Sequence, residues 1–112
     1  MKEETIQLSM AIILNAGDAR VACKEALDAI SAFDYEKAEA KLKEAHEKIT
    51  VAHKVQTDAI QAETRGEESE YALLFAHAQD TLMTINSEII IAKQLLKIFK
   101  AYEARIASLE NQ

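Results

Sequence analysis

Apolar residues recur every three or four positions along three long segments of the chain. This spacing places them on one face of an α-helix. In the third segment the apolar row consists of Leu74, Ala78, Ile85, Ile89, Ala92, Leu96 and Phe99. His77 and Thr81 lie in the same rows, and Asp80 lies on their edge. A charge on the packing side of a helix is costly without a partner, so His77 and Asp80 are candidate functional residues.

The first two segments also carry broad apolar arcs. The first has one row of Ile6, Met10, Ile13, Gly17 and Val21, and a second row of Ala19, Ala22, Ala26 and Ala29. The second has a row of Ala38, Leu42, Ala45, Ile49, Ala52, Gln56 and Ala59. Such arcs indicate that each helix packs against neighbours on more than one side.

Capping residues set the predicted ends of the helices. Thr5 and Asp34 are suitable N-caps, and Gly66 is suited to end the second helix. The acidic stretch Glu67-Glu68-Ser69-Glu70 is predicted to begin the third helix, because negative charge is favourable at the positive end of a helix dipole. We therefore predict helices at about 5–32, 35–65 and 68–108, in one domain spanning residues 1–112. The expected fold is all-α, an antiparallel up-down-up three-helix bundle.

Composition supports long helices and excludes several classes of function. The chain has no proline, two glycines and a formal net charge of −6. An acidic chain without a basic patch is a poor candidate for binding nucleic acid. Cys23 is the single cysteine, which excludes an internal disulfide and favours a buried apolar role. The charged N-terminus and the absence of an apolar run of about 20 residues predict a cytoplasmic protein without a membrane span.

Three helices that meet along one seam need only one inner face each. The broad apolar arcs therefore leave surplus apolar surface, which another copy of the chain would cover. The sequence predicts a homo-oligomer without fixing the number of subunits.

A histidine-dependent function would use one of three residues. His46 lies in a charged, solvated segment, and His53 in a segment that is half apolar. Di-iron bundles place a glutamate three residues before each histidine, and that class is excluded here. The corresponding positions hold Lys43, Thr50 and Leu74. His77 remains open to a structural role or to proton transfer, metal ligation or covalent catalysis.

A phosphorylatable histidine makes the fewest demands on an alanine-rich bundle. It needs a partly exposed imidazole on a firm helix, which a partner protein can approach with a phosphoryl donor. Asp80 complicates this interpretation because a nearby carboxylate would repel the phosphoryl group. It must therefore point away from His77 or be offset by a cation.

The segment Ala76-His77-Ala78-Gln79-Asp80-Thr81-Leu82-Met83 closely resembles a known phosphorylation segment. The family is the IIA component of the lactose/cellobiose (N,N′-diacetylchitobiose) class of the bacterial sugar phosphotransferase system. Two further stretches are similar to the same family: Ile13-Leu14-Asn15-Ala16-Gly17-Asp18-Ala19-Arg20 and Ala52-His53-Lys54-Val55-Gln56-Thr57. The resemblance covers nearly the whole chain.

The resemblance implies a phosphotransferase component that acts through phosphohistidine. Members of the family assemble as homotrimers with nine helices. On that pattern His77 is phosphorylated at Nε2 by the phosphocarrier HPr and passes the group to a cysteine of the IIB component. Asp80 matches a carboxylate at the three-fold axis, where three copies share one divalent cation, usually Mg²⁺. Gln79 matches a position beside the active histidine and has no assigned role.

Two other functions compete with the carrier. Histidine phosphotransfer domains of signalling relays are also helical bundles, but they resemble His-x-x-Lys-Gly, whereas here Asp80 occupies the lysine position. A non-catalytic helical interaction module would keep His77 and Asp80 as core polar groups. The sequence does not reveal which disaccharide would be transported, because the membrane permease component selects the sugar.

Overall fold

The computed structural model describes residues 2–67 and 72–112, which form three helices and no strand. The helices are α1 at Glu3–Ser31, α2 at Tyr35–Thr64 and α3 at Leu73–Glu110. The predicted number and order of the helices are therefore confirmed. None of these helices has a stretch long and apolar enough to span a membrane, as far as the described residues go.

Local capping chemistry fixes both ends of α2. The Asp34 carboxylate accepts a hydrogen bond from the backbone N–H of Lys37 at 3.1 Å, as predicted for an N-cap. At the other end Gly66 adopts φ 82°, and its N–H donates to the carbonyl of Glu63. The N–H of Glu67 donates to the carbonyl of Ala62, which completes a Schellman motif. Gly66 thus ends the helix as predicted.

The ends of α1 differ from the prediction. Thr5 is not the N-cap, because α1 begins at Glu3 and Lys2 occupies the cap position without a side-chain cap bond. Two glutamates in the first turn favour this earlier start through the helix dipole. At the other end Phe33 closes a Schellman motif with φ 63°, a conformation that costs a bulky residue strain.

The start of α3 also differs from the prediction. The helix begins at Leu73, and Ala72 before it is extended, with φ −139° and ψ 129°. Glu67 lies outside the helix. The remainder of the acidic stretch, residues 68–70, lies outside the described residues.

The core is built from the inner rows of all three helices, and alanine is its commonest residue. Small side chains allow the helix axes to approach closely, and α1 and α2 share the most extensive contact. The fully buried larger side chains include Ile12, Leu82, Ile85 and Ile89. Leu82 was missing from the predicted row of α3. Cys23 is buried as predicted, and burial raises the pKa of its thiol.

The second half of α3 extends past the other two helices. Ala92 and Leu96 are buried as predicted, but Phe99 is 44% exposed, so its predicted place in the core is wrong. The helix α1 ends at Ser31, and every described residue after Leu96 is exposed. The apolar row of α3 therefore continues beyond the partners that would cover it.

Named contacts join α3 to each of the other helices. Arg20 of α1 pairs with Glu88 of α3. On the other side Glu39 of α2 pairs with Lys100 of α3. These contacts define two flanks of α3: an α1 flank that contains Glu88 and an α2 flank that contains Lys100.

Candidate functional site

His77 lies on the second turn of α3 and is exposed. No hydrogen bond or ion pair holds its imidazole, considering residues 2–67 and 72–112. Its backbone carbonyl accepts a 2.8 Å hydrogen bond from Oγ1 of Thr81. Thr81 is half-buried, so the backbone beneath His77 is held while the ring remains accessible. The ring therefore meets the requirement for an accessible imidazole on a firm helix.

Asp80 is also exposed and lies three residues after His77. Residues three apart diverge by about 60° around a helix, so both side chains project outward but in different directions. No ion pair engages the Asp80 carboxylate within the described ranges. Nor do the described residues of one chain bring together three histidine, cysteine, aspartate or glutamate side chains that could hold a metal ion.

The other two histidines lie elsewhere. His46 is exposed on α2, and its Nδ1 is 3.4 Å from Nζ of Lys93. Lys93 is sixteen residues after His77, about 24 Å along α3. His53 is exposed on α2. The structure thus brings His77 and Asp80 to one turn of α3 and places the remaining histidines on another helix.

An exposed face of α3 carries Asp80 together with apolar side chains. We define the outer face of α3 by residues that recur at intervals of seven and four: Leu73, Asp80, Ser87, Ile91 and Ile98. Leu73 is 76% exposed, Ile91 56% and Ile98 45%. Ile98 lies eighteen residues after Asp80, which is five full helical turns and the same direction. The chain by itself leaves this apolar face in water.

The ion pair between Arg20 and Glu88 joins α1 to α3. Glu88 lies eleven residues after His77, about three helical turns, and therefore on the same flank of α3. Nε donates to Oε1 at 3.0 Å and Nη2 to Oε2 at 2.6 Å, a two-pronged geometry. Hydrogen bonding to Arg20 lowers the pKa of the Glu88 carboxyl and raises that of the guanidinium. Sequence reasoning missed this pair, since the two residues are far apart in the chain and nothing in the family-like stretch that ends at Arg20 points to Glu88.

We predict that Glu88→Gln lowers the free energy of unfolding at pH 7 by less than about 1 kcal/mol, because both side chains are about half exposed. The folded-state pKa of Glu88 is lowered, so its contribution is present above the ordinary carboxyl pKa and disappears as the pH falls through the lowered value. Urea unfolding of the wild type and the variant at pH 7 and pH 3 measures the difference. The difference in free energy of unfolding between wild type and Glu88→Gln should be smaller at pH 3 than at pH 7. The control is Glu63→Gln, at an exposed carboxyl outside any observed ion pair, and its free energy of unfolding should equal that of the wild type at both pH values. A difference that is the same at both pH values would contradict this assignment.

Two cavities lie outside the His77 turn. The larger, about 270 Å³, is lined by apolar Leu8, Ile60 and Phe75 and rimmed by charged side chains. The smaller, about 200 Å³, lies beside Phe33 and Phe99. No described histidine lines either cavity, so neither gives His77 a pocket for a small molecule.

The chain is similar throughout its length to known transport components. A family model described as "PTS system, Lactose/Cellobiose specific IIA subunit" matches residues 7–100. The chain is 38% identical to the lactose-specific EIIA component of Lacticaseibacillus casei, over 99% of this chain and 96% of that protein. It is 39% identical to the lichenan-specific phosphotransferase enzyme IIA component of Bacillus subtilis, over 97% of this chain and all of that protein.

A solved structure agrees with the sequence matches. The cellobiose-specific enzyme IIA from Bacillus anthracis superposes with a TM-score of 0.86 at 36% identity, covering 93% of this chain and 95% of that one. The matched residues include the whole His77 turn and the outer face of α3. The chain belongs to the lactose/cellobiose-specific IIA family and is a component of a sugar phosphotransferase system.

Proposed function

We propose that the protein is a cytoplasmic phosphoryl carrier in the uptake of a β-linked disaccharide. Nε2 of His77 accepts the phosphoryl group from HPr and passes it to a cysteine of the IIB component. The observation that carries the proposal is the exposed, unrestrained imidazole of His77 on a helix of a IIA scaffold. The sugars in the names of the relatives, lactose and lichenan, support the class of substrate.

The chemistry needs one nitrogen lone pair and an open approach. In the neutral imidazole, Nε2 attacks the phosphorus of the donor as the bond between phosphorus and HPr breaks. The new N–P bond later breaks when the thiolate of the IIB cysteine attacks the same phosphorus. Both partners must reach Nε2 in line with the leaving atom, which an exposed ring on α3 permits.

The hydrogen bond from Thr81 assists this function. It is donated to the carbonyl of His77 rather than to the ring, so it steadies the helix without occupying an imidazole nitrogen. The phosphoryl group can therefore form at Nε2 without first breaking an intramolecular hydrogen bond. Transfer to His77 and transfer from it can therefore both occur without a change in the hydrogen bonds that hold α3.

We also propose the antiparallel up-down-up arrangement and a homotrimer of nine helices. The order of contacts supports the first, because Glu39 meets Lys100 while His46, later in α2, meets Lys93, earlier in α3. The outer face of α3 supports the second. A face with exposed isoleucines in the row of Asp80 is stabilised when three copies of α3 pack around a common axis.

Asp80 is the proposed metal ligand of that trimer. Three copies around the axis would bring three carboxylates together, which is unfavourable unless a cation neutralises them. Carboxylate oxygens are the ligands of hard divalent cations, and Mg²⁺ completes its shell with water. The side chains present fit such an ion, because Asp80 is exposed on the outer face and unpaired within the described part of its own chain. One ion per trimer would offset the charge beside His77.

The alternative functions have less support. A signalling phosphotransfer domain is disfavoured by the family match, which spans residues 7–100 and is specific to sugar transport. A non-catalytic module with His77 and Asp80 in its core is disfavoured because both side chains are exposed in the single chain. The carrier accounts for the exposure, the sequence segment and the family together.

Incubation with phosphoenolpyruvate, enzyme I and HPr tests the carrier function. We expect one phosphate per chain, stable in alkali and lost in mild acid, as an N–P bond requires. Intact-protein mass spectrometry measures the added phosphate, and omission of HPr is the control. Absence of label in the complete mixture, or label that survives acid, would overturn the proposal.

A further inference from the structure

Helix α1 carries an apolar row on the side that faces away from the core. Met10 is 40% exposed, Leu14 61% and Val21 58%, and Gly17 lies between the last two. These residues recur at intervals of four, three and four, so they share one face of the helix. We call Met10, Leu14, Gly17 and Val21 the outward row of α1. The buried residues of α1 lie on the opposite face and include Ile12, Ala16 and Ala19.

Gly17 makes a hollow in the outward row that the fold itself does not require. A Cβ atom at Gly17 would meet nothing within 4 Å, so no close contact excludes a larger residue. Its φ is also an ordinary one, because of the two glycines only Gly66 has a positive φ. Glycine inside a helix is less favourable than alanine. The chain thus keeps a destabilising residue where only a molecule outside it would use the space.

Contacts between α1 and α3 fix the height of the outward row. Arg20 pairs with Glu88, and Leu27 and Leu95 line the same cavity. The members of each pair are 68 positions apart in the sequence. A constant offset indicates that the two helices run side by side in the same direction. A residue of α1 is therefore level with the residue 68 positions later on α3.

The outward row begins beside the turn that carries His77. By this offset Met10 is level with Ala78, the residue after His77, and Val21 lies about 17 Å farther along the bundle. His77 shares the flank of α3 that Glu88 joins to α1. A partner that reaches Nε2 of His77 from this flank therefore also lies over α1 and its outward row.

The charges beside the outward row indicate what kind of surface would bind it. Two cations border the row, and each is already neutralised, Arg20 by Glu88 and Lys24 by Asp28. Asp18 is exposed and makes no ion pair within residues 2–67 and 72–112. The charge that remains is therefore negative. A complementary partner presents apolar side chains at its centre and lysine or arginine at its rim.

We infer that the outward row of α1 is the docking surface for the phosphoryl donor HPr. An apolar side chain of HPr enters the hollow at Gly17, and its cations lie beside Asp18. Burial of the exposed apolar side chains stabilises the complex, and the negative charge steers a basic surface toward it. The inference rests on the proposed function, since it requires that HPr deliver the phosphoryl group to His77.

Gly17→Leu is the main test, because it fills the hollow and adds no charge. In labelling by phosphorylated HPr we expect the KM for HPr to rise at least about tenfold, with little change in the rate at saturating HPr. Ala40→Leu is the matched control, since it places the same side chain at an exposed position of α2, and it should keep the wild-type KM. Circular dichroism of both variants measures the fold.

Gly17→Ala separates docking from stability. Alanine favours the helix and its Cβ has free space, so the midpoint of urea unfolding should rise above the wild-type value. The same Cβ makes the hollow shallower, so the KM for HPr should also rise, by less than in Gly17→Leu. A variant that is more stable and yet a poorer acceptor cannot be explained by damage to the fold.

A titration with unphosphorylated HPr locates the docking surface directly. In two-dimensional nitrogen–proton NMR spectra, the amide signals of residues 10–21 should shift together with that of His77. The amide signals of residues 35–41, at the start of α2, should stay in place.

The outcomes separate the docking surface from the proposed function. A wild-type KM in Gly17→Leu would overturn the inference, and so would amide shifts that avoid residues 10–21. If Gly17→Leu changes the number of subunits in analytical ultracentrifugation, the outward row belongs to an interface between copies and the inference is wrong. These results leave the carrier function intact, because His77 still takes the label. By contrast, a wild-type protein that takes no label from HPr overturns the proposed function and the docking surface with it.

Discussion

His77→Ala is expected to remove all phosphorylation by HPr and to leave the fold intact. In the proposed mechanism the imidazole supplies the attacking nitrogen, and no other described group lies on the same turn with comparable nucleophilicity. The side chain is exposed and makes no contact that holds the bundle together, so the free energy of unfolding should change by less than about 0.5 kcal/mol. Mass spectrometry after incubation with the phosphoryl donors measures the label, and circular dichroism measures the fold.

His53→Ala provides a matched control for this experiment. His53 is also an exposed histidine on a helix, and it lies in a segment that resembles the family. Its substitution should leave the label at one phosphate per chain. If His77→Ala is still phosphorylated, or if His53→Ala loses the label, then the assignment of the phosphoryl-accepting residue is wrong.

Asp80→Asn is expected to weaken divalent metal binding by the proposed homotrimer. The substitution keeps the size of the side chain and removes three negative charges from the proposed three-fold axis, so the affinity for Mg²⁺ should fall by at least about tenfold. The amide also removes the mutual repulsion of the carboxylates. Chelation should therefore destabilise the wild-type trimer and have no effect on the variant. Metal analysis and analytical ultracentrifugation, each with and without chelator, measure the two effects.

The exposed carboxylate of Asp18 is a suitable comparison, because it belongs to α1 and not to the outer face of α3. Asp18→Asn should retain one metal ion per trimer and the same response to chelator as the wild type. Unchanged metal content in Asp80→Asn would exclude this residue as the ligand. A wild-type trimer that is indifferent to chelation would show that no ion is needed to hold the carboxylates together.

Features set by local chemistry could be predicted from the sequence. Asp34 caps α2 and Gly66 ends it because each needs only its own neighbours in the chain. The inner rows were also largely predictable, since helical periodicity fixes which residues share a face. Thr5 failed as an N-cap because competing first-turn charges begin the helix earlier. The role of Phe33 in ending α1 could not be predicted, because a phenylalanine rarely adopts positive φ.

Features that depend on distant parts of the chain could not be predicted. Phe99 repeats the apolar period of α3, but its burial depends on where α1 ends. Leu82 is a different case, because it lies four residues after Ala78 in the same row and its burial could have been predicted from that spacing. The pair of Arg20 and Glu88 has no local signature, because it forms only when two helices pack in one register.

The sequence by itself determined three long helices, their inner faces and the turn that presents His77 and Asp80, because helical periodicity and capping act within a few residues. The tertiary structure decided that both side chains are exposed and that the apolar outer face of α3 remains uncovered. It also decided which flank of α3 faces α1 and which faces α2. A periodic pattern defines directions around one helix, whereas only packing against other helices determines what lies in each direction.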